Sequence, residues 1–245
     1  MLLEAQGVSK AFGSFLAVRD ADLTVQEGEI VGLIGPNGAG KSTFFNCLAG
    51  DMVPTAGRIA FCGEEVTDAP PERHVTLGIG RTFQVPATFT DMSVLDNVMV
   101  GAFLRHRHRR EAREHARRIV ELTGLAPFSA QAARSLGTPG RKRLEIARVL
   151  ATNPRLMLLD EALAGLTPTE LQEAIALVRK IYETGVTLII VEHIMEVILS
   201  LTRRVLVFNQ GHVIASGRPE EVVKDRGVIE AYLGRGHHGK GGRAP

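Results

Sequence analysis

Gly35-Pro36-Asn37-Gly38-Ala39-Gly40-Lys41-Ser42-Thr43 follows directly on the apolar run Ile30-Val31-Gly32-Leu33-Ile34 and leads into Phe44-Phe45-Asn46-Cys47-Leu48. A buried strand, a glycine-rich turn and a helix with an apolar face, in that order, are the setting in which backbone cradles phosphate. The glycines let the chain curl until successive N–H groups converge on an anion at the mouth of the helix. In this reading Gly35 and Gly40 bracket the turn, and Pro36, Asn37, Gly38 and Ala39 form its span. Lys41 places its ammonium on the β- and γ-phosphates, Ser42 offers its hydroxyl to Mg²⁺, and Thr43 lies near the α-phosphate. The stretch predicts a site for a nucleoside triphosphate.

Working outward, 245 residues suffice for one large α/β domain or for a core carrying a smaller insertion. A hydrophobic share of 44% with 23% charged residues is that of an ordinary soluble globular protein, and a formal net charge of +2 makes no case for nucleic acid. The longest apolar runs, Leu188 to Val191 and Leu156 to Leu159, are strand-sized and far short of the ~20 residues of a membrane span. A protein of this kind working at a membrane does so from the side. The start, Met1-Leu2-Leu3-Glu4, has no basic flank followed by a long apolar region, so the expected location is the cytoplasm. Cys47 and Cys62 lack metal-ligand spacing, and both are expected to be small buried apolar residues.

Short alternating apolar stretches at 2–8, 15–25 and 57–61 predict an antiparallel sheet beside the phosphate loop. From Leu156 the pattern changes to strand (156–160), helix (about 168–183), strand (186–191), helix (about 194–201) and strand (204–209). That alternation implies a parallel sheet wrapped by helices. Between the two regions, residues about 86–140 carry no strand pattern, while helical periodicity from Ser93 and from Glu111 to Leu122 marks an inserted helical subdomain, about 86–155. The end, 235–245, has no apolar face and is expected to be a disordered tail with solvated histidines.

A second set of chemical residues sits where the later strands end. Leu156 to Leu159 terminate in Asp160 and Glu161, and open α/β sheets place ligands beyond the carboxyl ends of their strands. Asp160 would hold Mg²⁺, directly or through water, and Glu161 would polarise the water that attacks the γ-phosphorus. Thr187 to Val191 end in Glu192 and His193, an imidazole suited to bonding the γ-phosphate and orienting that water. Gln84, after Arg81-Thr82-Phe83, can reach both metal and water through its amide.

Together these residues resemble the nucleotide-binding subunit of an ABC transporter; the likeness runs over nearly the whole chain, from Val8 to about Gly234, and implies a nucleotide-binding domain at 1–234. The resemblance implies an α/β P-loop NTPase fold with an antiparallel β subdomain and an inserted helical subdomain, binding ATP and Mg²⁺. It assigns Gly35 to Thr43 to the Walker A loop, Gln84 to the Q-loop, Asp160 and Glu161 to Walker B and the catalytic glutamate, and His193 to the switch histidine. Phe12 takes the place of the aromatic that stacks on adenine; its alternative reading is a core residue of a hairpin. Gly80 to Gln84, Met92 to Val98 and the ending Val228 to Gly234 look like the importers of branched-chain and other hydrophobic amino acids. The motor of the lipopolysaccharide exporter has a similar ending but usually a different approach to the Q-loop. A soluble ABC ATPase of translation or DNA repair generally carries paired domains or a coiled-coil insertion, and neither is visible here.

The implied partners are a second ATPase subunit, transmembrane permease subunits and, indirectly, a substrate-binding protein, with the chain on the cytoplasmic face of the inner membrane and no nucleic acid. The sequence departs from the family at its signature loop, where Leu136-Gly137-Thr138-Pro139-Gly140 stands for Leu-Ser-Gly-Gly-Gln. Gly137 lacks the serine hydroxyl and Pro139 lacks an N–H, two donors worth roughly 1.5–3 kcal/mol each to a bound anion. Since two such subunits close head to tail, the loss falls on the partner's nucleotide, and a heterodimer with unequal sites is expected, with a homodimer as the alternative. Thr138 or the pair Arg141-Lys142 could supply substitute donors. Ala162 and Thr167 replace a proline and an aspartate, and a nearly inactive regulatory subunit would follow from the signature alone, against Lys41, Asp160, Glu161 and His193. The basic run from Arg105 to Arg118 reads as a solvated helix face, or else as a contact for anionic headgroups or an acidic loop.

Overall fold

The computed structural model describes residues 1–83 and 87–233; Gln84 and the tail from Arg235 lie outside the described residues. The chain opens with β1 (Leu3–Phe12) and β2 (Phe15–Val25), and β3 (Ile30–Ile34) then feeds α1 (Lys41–Leu48). Next come β4 (Ala56–Phe61), β5 (Glu64–Glu65), α2 (Pro71–Leu77) and β6 (Ile79–Arg81). The inserted helices are α3 (Val94–Ala102), α4 (Arg109–Leu122) and α5 (Thr138–Leu150). An alternation follows: β7 (Leu156–Asp160), α6 (Pro168–Glu183), β8 (Thr187–Val191), α7 (Met195–Leu201) and β9 (Arg204–Asn209). The described chain closes with β10 (His212–Gly217), α8 (Pro219–Val222) and α9 (Arg226–Leu233).

Among the described residues one sheet is antiparallel, in the order β2-β1-β4-β5. The other runs β10-β9-β3-β8-β7-β6, parallel except for its edge strand β10. Strands β3, β7 and β8 are buried at every position, as a sheet covered on both faces requires. On β7 and β8 the side chains alternate between two cores. Leu158, Ile189 and Val191 join Phe44, Phe45 and Phe208 on the side of α1 and the antiparallel sheet. Met157, Leu159, Leu188 and Ile190 join Val98, Leu144 and Val178 under the helices. The inserted helices therefore share a core with the sheet that carries the strand ends.

Local chemistry explains the helix starts. Ser93 caps α3 by accepting the Asp96 N–H at 3.0 Å. Thr167 and Glu170 form a reciprocal capping box on α6, with Pro168 in the first turn. The elements from 156 to 209 lie where the alternation predicts them, within about a residue. The first strand runs past the expected 2–8 to Phe12, bulging where Gly7 takes φ 59. Strand β10 has no apolar contrast between its faces and is not foreseen. One cysteine needs correcting: Cys47 is buried as expected, but Cys62 is exposed, because it forms the tight β4–β5 turn at φ 53.

Candidate functional site

Register builds the site. Leu33 on β3 pairs with Val191 on β8, and Val191 pairs with Asp160 on β7. Three neighbouring parallel strands thus end within a residue of one another, and Gly35, His193 and Glu161, one or two residues further along, emerge beyond the carboxyl ends of the sheet. They line a cavity of about 720 Å³ together with Pro36, Asn37, Gly38, Ala39, Gly40, Lys41, Ser42 and Thr43, and with Phe15, Ala17 and Tyr232. The volume suits a nucleotide-sized ligand.

The loop tolerates little substitution. Gly35 (φ 145) and Gly40 (φ 104) hold backbone that side chains avoid, and a Cβ at either would come within 2.2 Å of the Phe208 carbonyl or 2.4 Å of the Ala17 carbonyl. Phe44 donates the first helical N–H of α1, to Gly40 at 2.9 Å. The N–H groups of Lys41, Ser42 and Thr43 precede that bond and have no acceptor within the helix. With the positive end of the helix dipole they form an anion site facing the cavity. The Lys41 ammonium folds over the loop onto the carbonyls of Gly35 (2.6 Å) and Pro36 (3.0 Å). Burial pulls its pKa down, and Glu161 and Asp160 work against that by holding the charge.

Asp160 is 7% exposed and lies outside the cavity wall, next to Glu161. Its backbone N–H donates to the Thr82 hydroxyl at 3.1 Å, and its carboxylate stands 3.5 Å from Arg81. Burial raises its pKa, with Arg81 and Lys41 opposing and Glu161 adding to the rise. Glu161 takes a left-handed φ of 45°, and its Oε1 lies 3.9 Å from His193 Nδ1. Magnesium takes one or two protein oxygens together with substrate phosphates, and the Ser42 hydroxyl and Asp160 carboxylate are donors of that kind.

Phe12 sits outside the cavity wall. It pairs with Phe15 across the β1–β2 turn, 49% exposed, with the Lys10 ammonium 5.6 Å from its ring; Phe15 is the aromatic that lines the cavity. Gln84 lies outside the described residues. At the signature, Gly137 caps α5 without a side-chain bond and Pro139 occupies its first turn. Lys142 does not serve as a substitute donor there, because its ammonium turns inward to carbonyls of the 161–164 turn.

Sequence reasoning passes over several residues of this region. Arg81 pairs with Asp51 and Asp160 and packs on the rings of Phe45 and Phe83. Glu192, 1% exposed, accepts the Leu163 N–H at 3.0 Å. Tyr232 arrives from α9 and lines the cavity beside Gly35. The ending around Tyr232 was visible as a motif, but nothing local to it says that it meets the phosphate loop.

Known proteins bear on this geometry. Residues 18–164 match the ABC transporter family profile, and 212–238 match that of the branched-chain amino acid ATP-binding cassette transporter. The chain belongs to the ABC transporter family. It is of the ATP-hydrolysing cassette type and is 38% identical to the high-affinity branched-chain amino acid transport ATP-binding protein BraF of Pseudomonas aeruginosa, over 95% of this chain and 98% of that one. The corresponding LivG protein of Salmonella typhimurium is also 38% identical, with the same coverage. The solved ADP conformation of MJ1267, an ATP-binding cassette of an ABC transporter, superposes with a TM-score of 0.86 at 30% identity, covering 95% of this chain and 98% of that one. No helix among the described residues of this cassette is long and apolar enough to cross a membrane.

Proposed function

We propose that this cassette hydrolyses ATP in the cavity at the strand ends and thereby drives import of branched-chain amino acids or related small amides. The observation that carries the reading is the common register of β3, β8 and β7, which gathers the loop 35–43, His193 and Glu161 around one space. The loop amides and Lys41 hold the phosphates; Glu161 accepts the proton of the attacking water, and His193 with Gln84 orients it. Ser42 and Asp160, with Gln84, would hold Mg²⁺, which when bound neutralises phosphate charge. Phe12 and Phe15 at the hairpin tip offer the base an aromatic wall.

ATP binding favours closure of two subunits, and hydrolysis reopens them. The partner is a second, different cassette, because the Gly137–Pro139 signature weakens only the site it would complete. Permease subunits dock at the apolar cleft of about 280 Å³ lined by Ala49, Phe83, Ala87, Val100, Arg148 and Val149, from the cytoplasmic face of the inner membrane. The match at 212–238 favours amino acid import over lipopolysaccharide export.

E161Q separates binding from chemistry. It is expected to hold a fluorescent ATP analogue within about threefold of the original affinity while losing about 100-fold or more in hydrolysis. Uptake of labelled leucine, isoleucine and valine by cells carrying only E161Q should fall to background. A variant that still hydrolyses ATP at near the original rate removes Glu161 from its role, and unchanged uptake with dead hydrolysis assigns another cargo.

A further inference from the structure

The turn that begins with Glu161 is gripped from both sides. Lys142, in the second turn of α5, donates to the carbonyls of Glu161 (3.3 Å), Ala162 (3.2 Å) and Ala164 (2.7 Å). Three acceptors match the three protons of an ammonium. From the other side, the buried Glu192 carboxylate accepts the Leu163 N–H at 3.0 Å. Both contacts fall on the turn in which Glu161 holds φ 45, a conformation that an L-residue keeps only where its surroundings over-determine it.

Lys142 also belongs to a polar ridge. Residues 142, 145 and 148 recur every three positions on α5 and so share a face. Glu145 accepts the Phe83 N–H at 2.8 Å, and Arg148 donates to the Ala87 carbonyl while its guanidinium lies 4.6 Å from the Phe89 ring. One helix face thus reaches the Glu161 turn at one end and Phe83 and Ala87 at the other. The carboxylates of Glu192, Glu145 and Glu161 surround the ammonium and favour its charged form against the pull of burial.

We infer that Lys142 is a positioning residue for Glu161, holding the 161–164 carbonyls so that the Glu161 carboxylate faces the phosphate cavity and moves with α5. The inference rests on Glu161 being the base, as proposed above. Its consequence is directional. In the dimer proposed above, the first turn of α5 would face the partner's nucleotide, and a tilt imposed there would reach the Glu161 carboxylate of this chain through Lys142.

The test uses the full-length chain with K142M, which keeps the stem and loses the donors, with K142R, which restores donors, and with E161Q. For K142M, kcat for Mg-ATP should drop about 30-fold with KM and analogue affinity within about twofold, the signature of a misplaced group rather than a lost binding contact. Amide exchange in a peptide covering 161–166 should quicken about tenfold or more, and K142R should recover kcat to within about threefold. Unchanged kcat in K142M, a fall in kcat shared with nucleotide affinity, or no recovery in K142R each overturns the inference. K142Q, which keeps a single amide donor group, is read by the same measures should K142M fail to fold. If E161Q is inactive while K142M is fully active, the base assignment stands and the Lys142 role falls. If E161Q hydrolyses ATP normally, the base assignment falls and takes this inference with it.

Discussion

Phe12 and Phe15 face each other across the tip of the first hairpin, both largely exposed, and large apolar side chains left in water beside a phosphate loop point to a ligand face. Stacking of a base on such a ring is worth about 1–3 kcal/mol. The double variant F12A/F15A is therefore expected to weaken ATP binding by about tenfold while leaving inorganic tripolyphosphate within about twofold, as read by titration calorimetry. Equal losses for the two ligands would mean that the hairpin supports the loop rather than the base. The single variants then apportion the effect between Phe15, which lines the cavity, and Phe12, which the family resemblance favours. Family position singles out one ring of the two; only the folded hairpin shows that they come as a pair.

At the scale of the element, α2 packs beneath the end of α1 through one histidine. His74 is 1% exposed, its Nδ1 lies 3.3 Å from the Pro70 carbonyl, and Nε2 has no hydrogen-bond partner among the described residues. Gly50 leaves room for the ring, since a Cβ there would stand 2.4 Å from Nδ1. Burial lowers the His74 pKa below 6.5, with the Pro70 carbonyl and Asp51 opposing. In the interval between the depressed folded value and 6.5 the unfolded chain binds the extra proton. Stability from this residue is accordingly complete above that interval and drains as pH falls through it. Tm should decline on acidification from about pH 6.5, and H74Q should flatten that limb while changing Tm little at neutral pH. An identical acid limb in H74Q would place its origin in other groups. Helix α2 is short and carries no strong periodicity, which is why the sequence does not announce it.

For the whole molecule, the proposed pairing of two cassettes turns on the departure at the signature. Gly137 brings no hydroxyl and Pro139 no N–H to the start of α5, although proline in a first turn does not disturb the helix itself. Restoring both donors with G137S/P139G in an E161Q background should strengthen ATP-driven self-association by about tenfold to 100-fold, measured by sedimentation. No change would show that Thr138 or other groups already supply the contact. This prediction concerns pairs of the same chain, and a stronger response with a distinct cassette partner is what an unequal dimer requires.

Most of the nucleotide fold is legible in the sequence. Glycine backbone freedom, an apolar run ending in Asp160 and Glu161, and a strand–helix alternation from 156 to 209 are encoded within one or two turns of chain, so local reading recovers them. The tertiary structure alone decided the register that levels Leu33, Val191 and Asp160, and the exposure of Cys62. It likewise decided the meetings of Tyr232 with Gly35, Arg81 with Asp160 and Lys142 with the 161–164 turn. Those contacts join residues from 19 to 197 positions apart, and burial of the two shared cores, not any local preference, brings them together.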